Sequence, residues 1–291
     1  MSWLREFESE LERRRVRPAV RERLLAELAD HIACEQAEQP QMEATRLGGA
    51  RETAAQYADE LAAEDARRGA FGAFAALACA AGAFVASQVA LARVGYPGYN
   101  HGYSTLLGLV AIVALIVGSQ TALVCGTLAA WRALRRRDQT TMPAAEIALV
   151  NRRSRVGLVA GFVTMGGLAL YVVDFAGALP GWWLLTSGAL VALAGGALLF
   201  AWRAIARGSG TVVLASGPAG DIYDDIAPLR PLRGHPLGLW ALVAIAVGGA
   251  VTAFEWHAEH SLAEGLQRGG VEVLALSIGF ALLGRAIGAR R

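Results

Sequence analysis

Residues 104–131, STLLGLVAIVALIVGSQTALVCGTLAAW, contain no Asp, Glu, Arg or Lys. A hydrocarbon core of about 30 Å takes roughly 20 helical residues to cross, so this stretch is long enough to span a bilayer. In lipid only a helix satisfies its own backbone hydrogen bonds. Five further apolar stretches have the required length, near 70–92, 156–176, 182–203, 236–256 and 269–288. Composition agrees: of 291 residues 55% are hydrophobic and 34 are Gly, with a mean hydropathy of +0.40, above what an ordinary soluble domain carries. The sequence therefore predicts an all-α protein, with a small cytoplasmic helical domain at 1–68 followed by a six-helix transmembrane bundle at 69–291.

Arginine sets the orientation. The segment from Arg132 to Arg155 holds seven Arg and the stretch from Arg203 to Pro236 four more, which places both inside the cell. The intervening loops carry only Arg93 and Arg268, and the C-terminal residues are again basic. Six spans with both termini in the cytoplasm satisfy every loop. The N-terminus lacks the basic region and apolar core of a cleaved signal peptide, and Trp182, Trp183, Trp202, Trp240 and Trp256 fall at span ends, where an aromatic belt belongs. Gly157 and Gly161, like Gly284 and Gly288, have the spacing of closely packed membrane helices.

All 27 basic residues are Arg, a coding bias and not a nucleic-acid signature. Residues 1–68 hold 11 Arg against 15 acidic residues, leaving 16 Arg against 10 for the remainder. An acidic N-terminal segment repels phosphate backbones, so no direct nucleic-acid contact is expected. Cys34, Cys79 and Cys125 lie in a charged helix and two apolar runs, so disulfides are not expected. The inner loop around Thr211 to Leu214 and GPAGD reads as a solvated connector or a small element docked on the N-terminal domain. It lacks the Gly-Lys-Ser/Thr ending of a phosphate loop.

Residues 1–65 read as four amphipathic helices. Trp3, Phe7 and Leu11 recur on the first, and Pro18 opens the second, which ends near Gln39. A short third carries Met42 and Leu47 and stops at Gly48 and Gly49, and the fourth runs from Arg51 to Asp65. On the second, Val20, Leu24, Leu25, Leu28 and Ile32 form one arc, and His31 falls inside it. Asp30 lies about 100° away, pointing to water or a partner. His31 and Glu35, four apart, can meet. Asp30, His31 and Glu35 are the candidate docking residues.

The run LLAELADHIACE followed by EATRLGGARETAAQYADEL resembles the helix-turn-helix-associated α-helical signalling (HAAS) domain. It is also similar to the prefix domains ahead of some bacterial permeases. Leu25, Leu28, Asp30, His31, Ile32, Glu43, Ala44, Leu47, Gly48 and Ala54 carry the likeness, over roughly the first 65 residues. The resemblance implies a bacterial cell-membrane protein whose cytoplasmic domain signals, often through a PadR-like transcription regulator. It assigns no catalytic residues.

Ionisable residues inside spans are costly and so are functional candidates. Asp174, Glu255 and Glu272 fall toward the outer ends of the third, fifth and sixth predicted spans, beside His257, Glu259 and His260. Imidazoles and carboxylates suit transition metals, although residues at span ends also cap helices, or pair with Arg93 or Arg268. Whether they hold a metal stays open at this point. No cofactor and no catalytic set is predicted, and mid-membrane charge, a usual mark of proton-coupled transport, is not expected. Gln88 and Gln120 are read as hydrogen-bonding between helices. The leading expectation is a membrane-tethered signalling protein, with membrane lipid and a cytoplasmic regulator as its partners. The alternatives are a permease or permease subunit, and an outer-face metal site or metallohydrolase.

Overall fold

The structure, a computed structural model, describes residues 2–38, 48–92, 105–175, 179–208, 210–214, 216–218, 221–259 and 261–283. It is all-helical, with no strand among the described residues. The elements are α1 (Ser2–Arg13), α2 (Pro18–Glu38), α3 (Ala50–Ala92), α4 (Leu106–Arg135), α5 (Ala144–Phe175), α6 (Gly181–Gly208), the single turn α7 (Ile222–Asp225), a 3₁₀ helix (Ala227–Leu232), α8 (Pro236–Glu259) and α9 (Leu262–Leu283). The third predicted N-terminal helix, near Met42 to Leu47, lies outside the described residues.

Four helices are long and apolar enough to cross a membrane: α4, residues 144–174 of α5, α6, and residues 237–257 of α8. The apolar windows of α6 and α8 are only 22% and 17% buried within the protein. Lipid accommodates that much exposed hydrocarbon and water does not. The predicted spans at 70–92 and 269–288 fall on the distal half of α3 and on α9, with 284–291 outside the described residues.

Two elements differ from the sequence reading. The fourth N-terminal helix does not end at Asp65. It continues as one 43-residue helix, α3, about 65 Å long, so the boundary placed at residue 68 falls inside it. A stripe of small residues, Ala54, Ala58, Ala62, Ala66, Ala70, Ala73 and Ala76, is buried along α3 at three- and four-residue spacing. Its first members pack in the head on Phe7, Leu11 and Leu28, its middle on Ala129, Ile147 and Val150, and its last on Leu158 and Leu198. Similarly, α5 begins at Ala144, directly after Pro143, and not near residue 156. Ile147, Val150 and Leu158 recur on its buried face, so most of what was read as an inner loop is helix packed on α3.

In the head, α1 ends with Val16 N–H donating to the Leu11 carbonyl and Arg15 N–H to that of Glu12, a Schellman closure with Arg15 in the left-handed region at φ 57°. Trp3 stacks on Phe7, which meets Tyr57 edge-on.

The bundle has two parts. α3, α4, α5 and α6 pack together, whereas α8 and α9 form a hairpin that meets the rest through α4 and the 3₁₀ helix. α4 and α5 approach very closely: a Cβ on Gly118 would stand 2.6 Å from Thr164 Oγ1 and 3.0 Å from the Ala160 carbonyl. Gly157 faces the Gly126 backbone and Gly161 faces Leu77 and Leu198, so that pair of glycines admits α4 at one level and side chains of α3 and α6 at the next. Gly118→Ala is expected to force α4 and α5 apart and cost about 1–3 kcal/mol, read as a lower unfolding temperature in detergent. Gly188→Ala, whose Cβ meets nothing within 4 Å, is expected to leave that temperature unchanged or raise it.

Candidate functional site

Where α4 ends and α5 begins, the chain buries a group of opposite charges. α4 brings Arg132 to within two turns of its end, and α5 brings Glu146 and Arg153, seven residues apart and hence on one face. Asp225, the last residue of α7, is inserted between them. Its Oδ1 accepts from Arg132 Nε at 2.7 Å and its Oδ2 from Arg153 Nη1 at 2.6 Å. Glu146 Oε1 accepts from Arg136 Nε at 3.1 Å and lies 3.4 Å from Arg132 Nη1. Arg153, Glu146, Asp225 and Arg132 are 0%, 2%, 3% and 5% exposed. Two guanidinium and two carboxylate charges balance within the group, the condition under which ions tolerate burial.

The local sequence explains why Asp225 arrives there. Asp221 caps α7, its Oδ1 accepting from the N–H groups of Tyr223 and Asp224 at 3.0 and 3.1 Å. Asp224 Oδ2 returns the bond by accepting from Asp221 N–H at 3.1 Å. Arg233 donates to both Asp221 and Asp224. From α4, Trp131 Nε1 and Arg135 Nη1 reach the carbonyls of Asp225 and Asp224 at 3.3 and 3.0 Å. The Asp224 carboxyl is held below the ordinary carboxylate range. The Asp221 N–H is the main cause, burial opposes it, and the Arg233 guanidinium adds to it.

The same inner segment reaches the head. Val212 N–H donates to the Arg14 carbonyl at 2.8 Å, and Leu214 N–H to Asp59 Oδ1 at 3.3 Å. Buried Arg14 also holds Asp59 Oδ1 at 2.9 Å and Glu10 Oε1 at 2.9 Å. The Thr211 to Leu214 run, read as β-prone, is extended chain docked by these bonds and not a strand. Arg67 of α3 completes the junction by donating to the Arg136 and Gln139 carbonyls just beyond α4, at 2.9 and 2.6 Å. The 210–233 segment therefore touches both the head and the bundle.

The residues singled out from the sequence are placed as follows. Asp30 and His31 are both exposed on α2, and Glu35 lies on the same helix with its side chain outside the described residues. His31 is not on the packed face as its arc implied. Leu28 is the only residue of that arc that is buried, with Val20, Leu24 and Leu25 partly covered, so the contact is narrower than the arc. Asp174 accepts from the Thr105 hydroxyl at 2.7 Å, and Thr105 in turn caps α4. Glu255 of α8 pairs with Arg268 of α9. His257 is exposed, the Glu259 side chain and His260 lie outside the described residues, and among the described residues no three His, Cys, Asp or Glu converge on a metal site.

Glu272 sits midway along α9 as described, Leu262–Leu283. Its partner, the Gln120 side-chain amide, is midway along α4, so the two residues are hydrogen-bonded between helices.

Neither a family model, nor a curated protein, nor a solved structure matches the chain.

Replacing Asp225 by Asn leaves Arg132 and Arg153 with Glu146 as their remaining buried carboxylate. The expected cost is about 3–5 kcal/mol, read as new tryptic cleavage after Arg233 and a lower unfolding temperature. Asp225→Leu combined with Arg153→Met, which restores charge balance, is expected to recover part of the loss. Acid is expected to release α7 as well. A carboxylate whose folded pKa is depressed contributes stability above its unfolded value and loses it as pH falls through the folded one. Cleavage by an acid-active protease within residues 221–233 should therefore rise below about pH 4, and rise less in Asp224→Asn.

Proposed function

We propose that this chain is a six-span signalling protein of the bacterial inner membrane, with both termini and the helical head in the cytoplasm, and that the head docks a transcription regulator of the PadR-like kind. The observation that carries the reading is the double attachment of the 210–233 segment, to Arg14 and Asp59 in the head and to Arg132 and Arg153 in the bundle. A change in the bundle that moves α7 also moves a segment bonded to the head. A purely anchoring bundle has no need of that connection. The continuous α3 supplies a second link and keeps the head from swinging freely.

The docking surface belongs on α2. Asp30 and His31 are exposed there beside Glu27, and the head as a whole is acidic, which favours a basic partner surface. Arg17 pairs with Asp65 at 2.8 Å and Arg51 with Glu6 at 2.8 Å, so several of the head's cations are already engaged within it.

One observation favours transport as a second reading. Glu272, hydrogen-bonded to Gln120 between α9 and α4, is the type of residue that a coupled permease uses. Substrate flux abolished by Glu272→Gln, in cells where no regulator associates with the protein, would support that reading over signalling.

The full chain is the appropriate bait, because a fragment ending at residue 68 cuts α3 and discards Val212 and Leu214. Wild-type protein solubilised from its own cells is expected to retain a winged-helix regulator. The double variant Glu27→Arg, Asp30→Arg, present at equal level, is expected to lose at least about tenfold of it, or ~1.4 kcal/mol. Retention of the regulator by the variant, or its absence from the wild type, would sink the proposal.

A further inference from the structure

A cavity of about 510 Å³ lies between α4, α8 and α9. That volume is within the roughly 300–1,000 Å³ of small-molecule sites. Trp240 and Phe280 give it aromatic surface, Leu239 and Leu276 aliphatic surface, and Gln120 and Thr121 its polar outer end. The floor is made by Ile222, Ile226 and Leu229, the residues that Asp225 holds in position through Arg132 and Arg153.

Glu272 adjoins the polar end through Gln120 without being part of the wall. Ala275, Leu276 and Gly279 of α9 line the wall, and Glu272 is three, four and seven positions before them, hence on the same helical face one turn outward. Its hydrogen-bond partner Gln120 is itself part of the wall. Glu272 differs from the other acids of the bundle. Asp225 meets two guanidinium groups and Glu255 meets Arg268, whereas among the described residues Glu272 is in no ion pair and its hydrogen-bond partner is a neutral amide. A half-buried carboxylate between two helices loses part of its water shell, and here no counter-ion replaces it. Neither this cavity nor a second of similar size, about 530 Å³ between α3, α4 and α5, has a charged residue on its wall, but the first includes Gln120, which is bonded to Glu272. Size alone therefore does not distinguish the first cavity; the adjoining carboxylate does.

We propose that the cavity between α4, α8 and α9 binds an apolar monovalent cation, an alkyl- or aryl-substituted ammonium or phosphonium ion, whose charge pairs with Glu272. The aliphatic and aromatic walls take the ligand's hydrocarbon, Trp240 and Phe280 add attraction for its charge, and Gln120 holds the carboxylate toward the site. Anions are excluded by Glu272, and a neutral hydrocarbon leaves the carboxylate uncompensated. Because the floor is α7 and the 3₁₀ helix, an occupied site presses on the segment that is bonded to Arg14 and Asp59. The binding itself does not depend on the head having a partner.

The test is equilibrium binding of tetraphenylphosphonium to the full chain in phosphatidylcholine nanodiscs at about pH 7, with empty nanodiscs subtracted. The expected result is one saturable site per chain. Glu272→Gln should weaken it at least about tenfold, Glu272→Asp should retain part of it, and Asp174→Asn should bind as the wild type does. Gly279→Leu, whose Cβ has room at 3.9 Å from Thr121 Oγ1, should fill the cavity and weaken binding with Glu272 intact. Binding should also fall toward about pH 5, where protons compete for one carboxylate. Equal affinity in wild type and Glu272→Gln would overturn the proposal. So would equal affinity for the uncharged triphenylphosphine oxide, which would make the cavity a general hydrocarbon site occupied by lipid chains. If Glu272→Gln fails to fold, retained binding in Gly279→Leu would overturn it independently.

Discussion

Burying Asp225 between Arg132 and Arg153 is the constraint on which the inner half of the protein depends. Each guanidinium is out of water, and an ion so placed is tolerated only while a partner of opposite sign is held against it. Glu146 alone cannot serve two arginines on two helices, so the chain must return after α6 and deliver a third residue between them. That requirement fixes α7, and α7 fixes its neighbours on both sides. On one side it places Ile222 and Ile226 under the cavity; on the other the preceding chain lies across Arg14 and Asp59 of the head. An irregular stretch that buries Ile222 and Tyr223 against Leu128 and Leu239 is therefore also held by electrostatics supplied from α4 and α5.

The helices themselves are assembled on a different principle. Lipid offers little hydrophobic drive for helix association, so close van der Waals approach has to supply it. Ala along α3 and Gly on α4 and α5 remove the side-chain bulk that would hold the backbones apart. α8 and α9 repeat the device on a smaller scale, with Gly265 and Gly269 set against the backbone around Thr252. The hairpin they form is fastened to the rest by fewer elements, and the cavity lies along that looser seam.

Part of this was legible in the sequence, because length and hydropathy act locally. Pro18 does open α2, Gly48 does take a left-handed conformation, and Gln120 does bond between helices. What was missed has identifiable causes. Arg67 and Arg68 mark a change from polar to apolar surroundings, but a helix does not have to break where its environment changes, and α3 runs through. Hydropathy windows trimmed α5 and α9 to their greasiest portions, which hid twelve helical residues before residue 156 and seven before residue 269. The ion cluster joins residues 93 and 72 positions apart, a separation that no local pattern reports.

The unbroken course of α3 ties the head and the bundle together in angular phase. Each helical residue turns the chain by about 100° and advances it about 1.5 Å, so one residue inserted near Arg67 would swing Arg14 and Asp59 away from the chain that meets them. Seven residues would bring the head back to within about 20° of its bearing, but about 10 Å farther from the membrane, beyond the reach of the 210–214 contacts. Length variation in this helix is therefore confined, and natural variants should change its composition far more readily than its residue count.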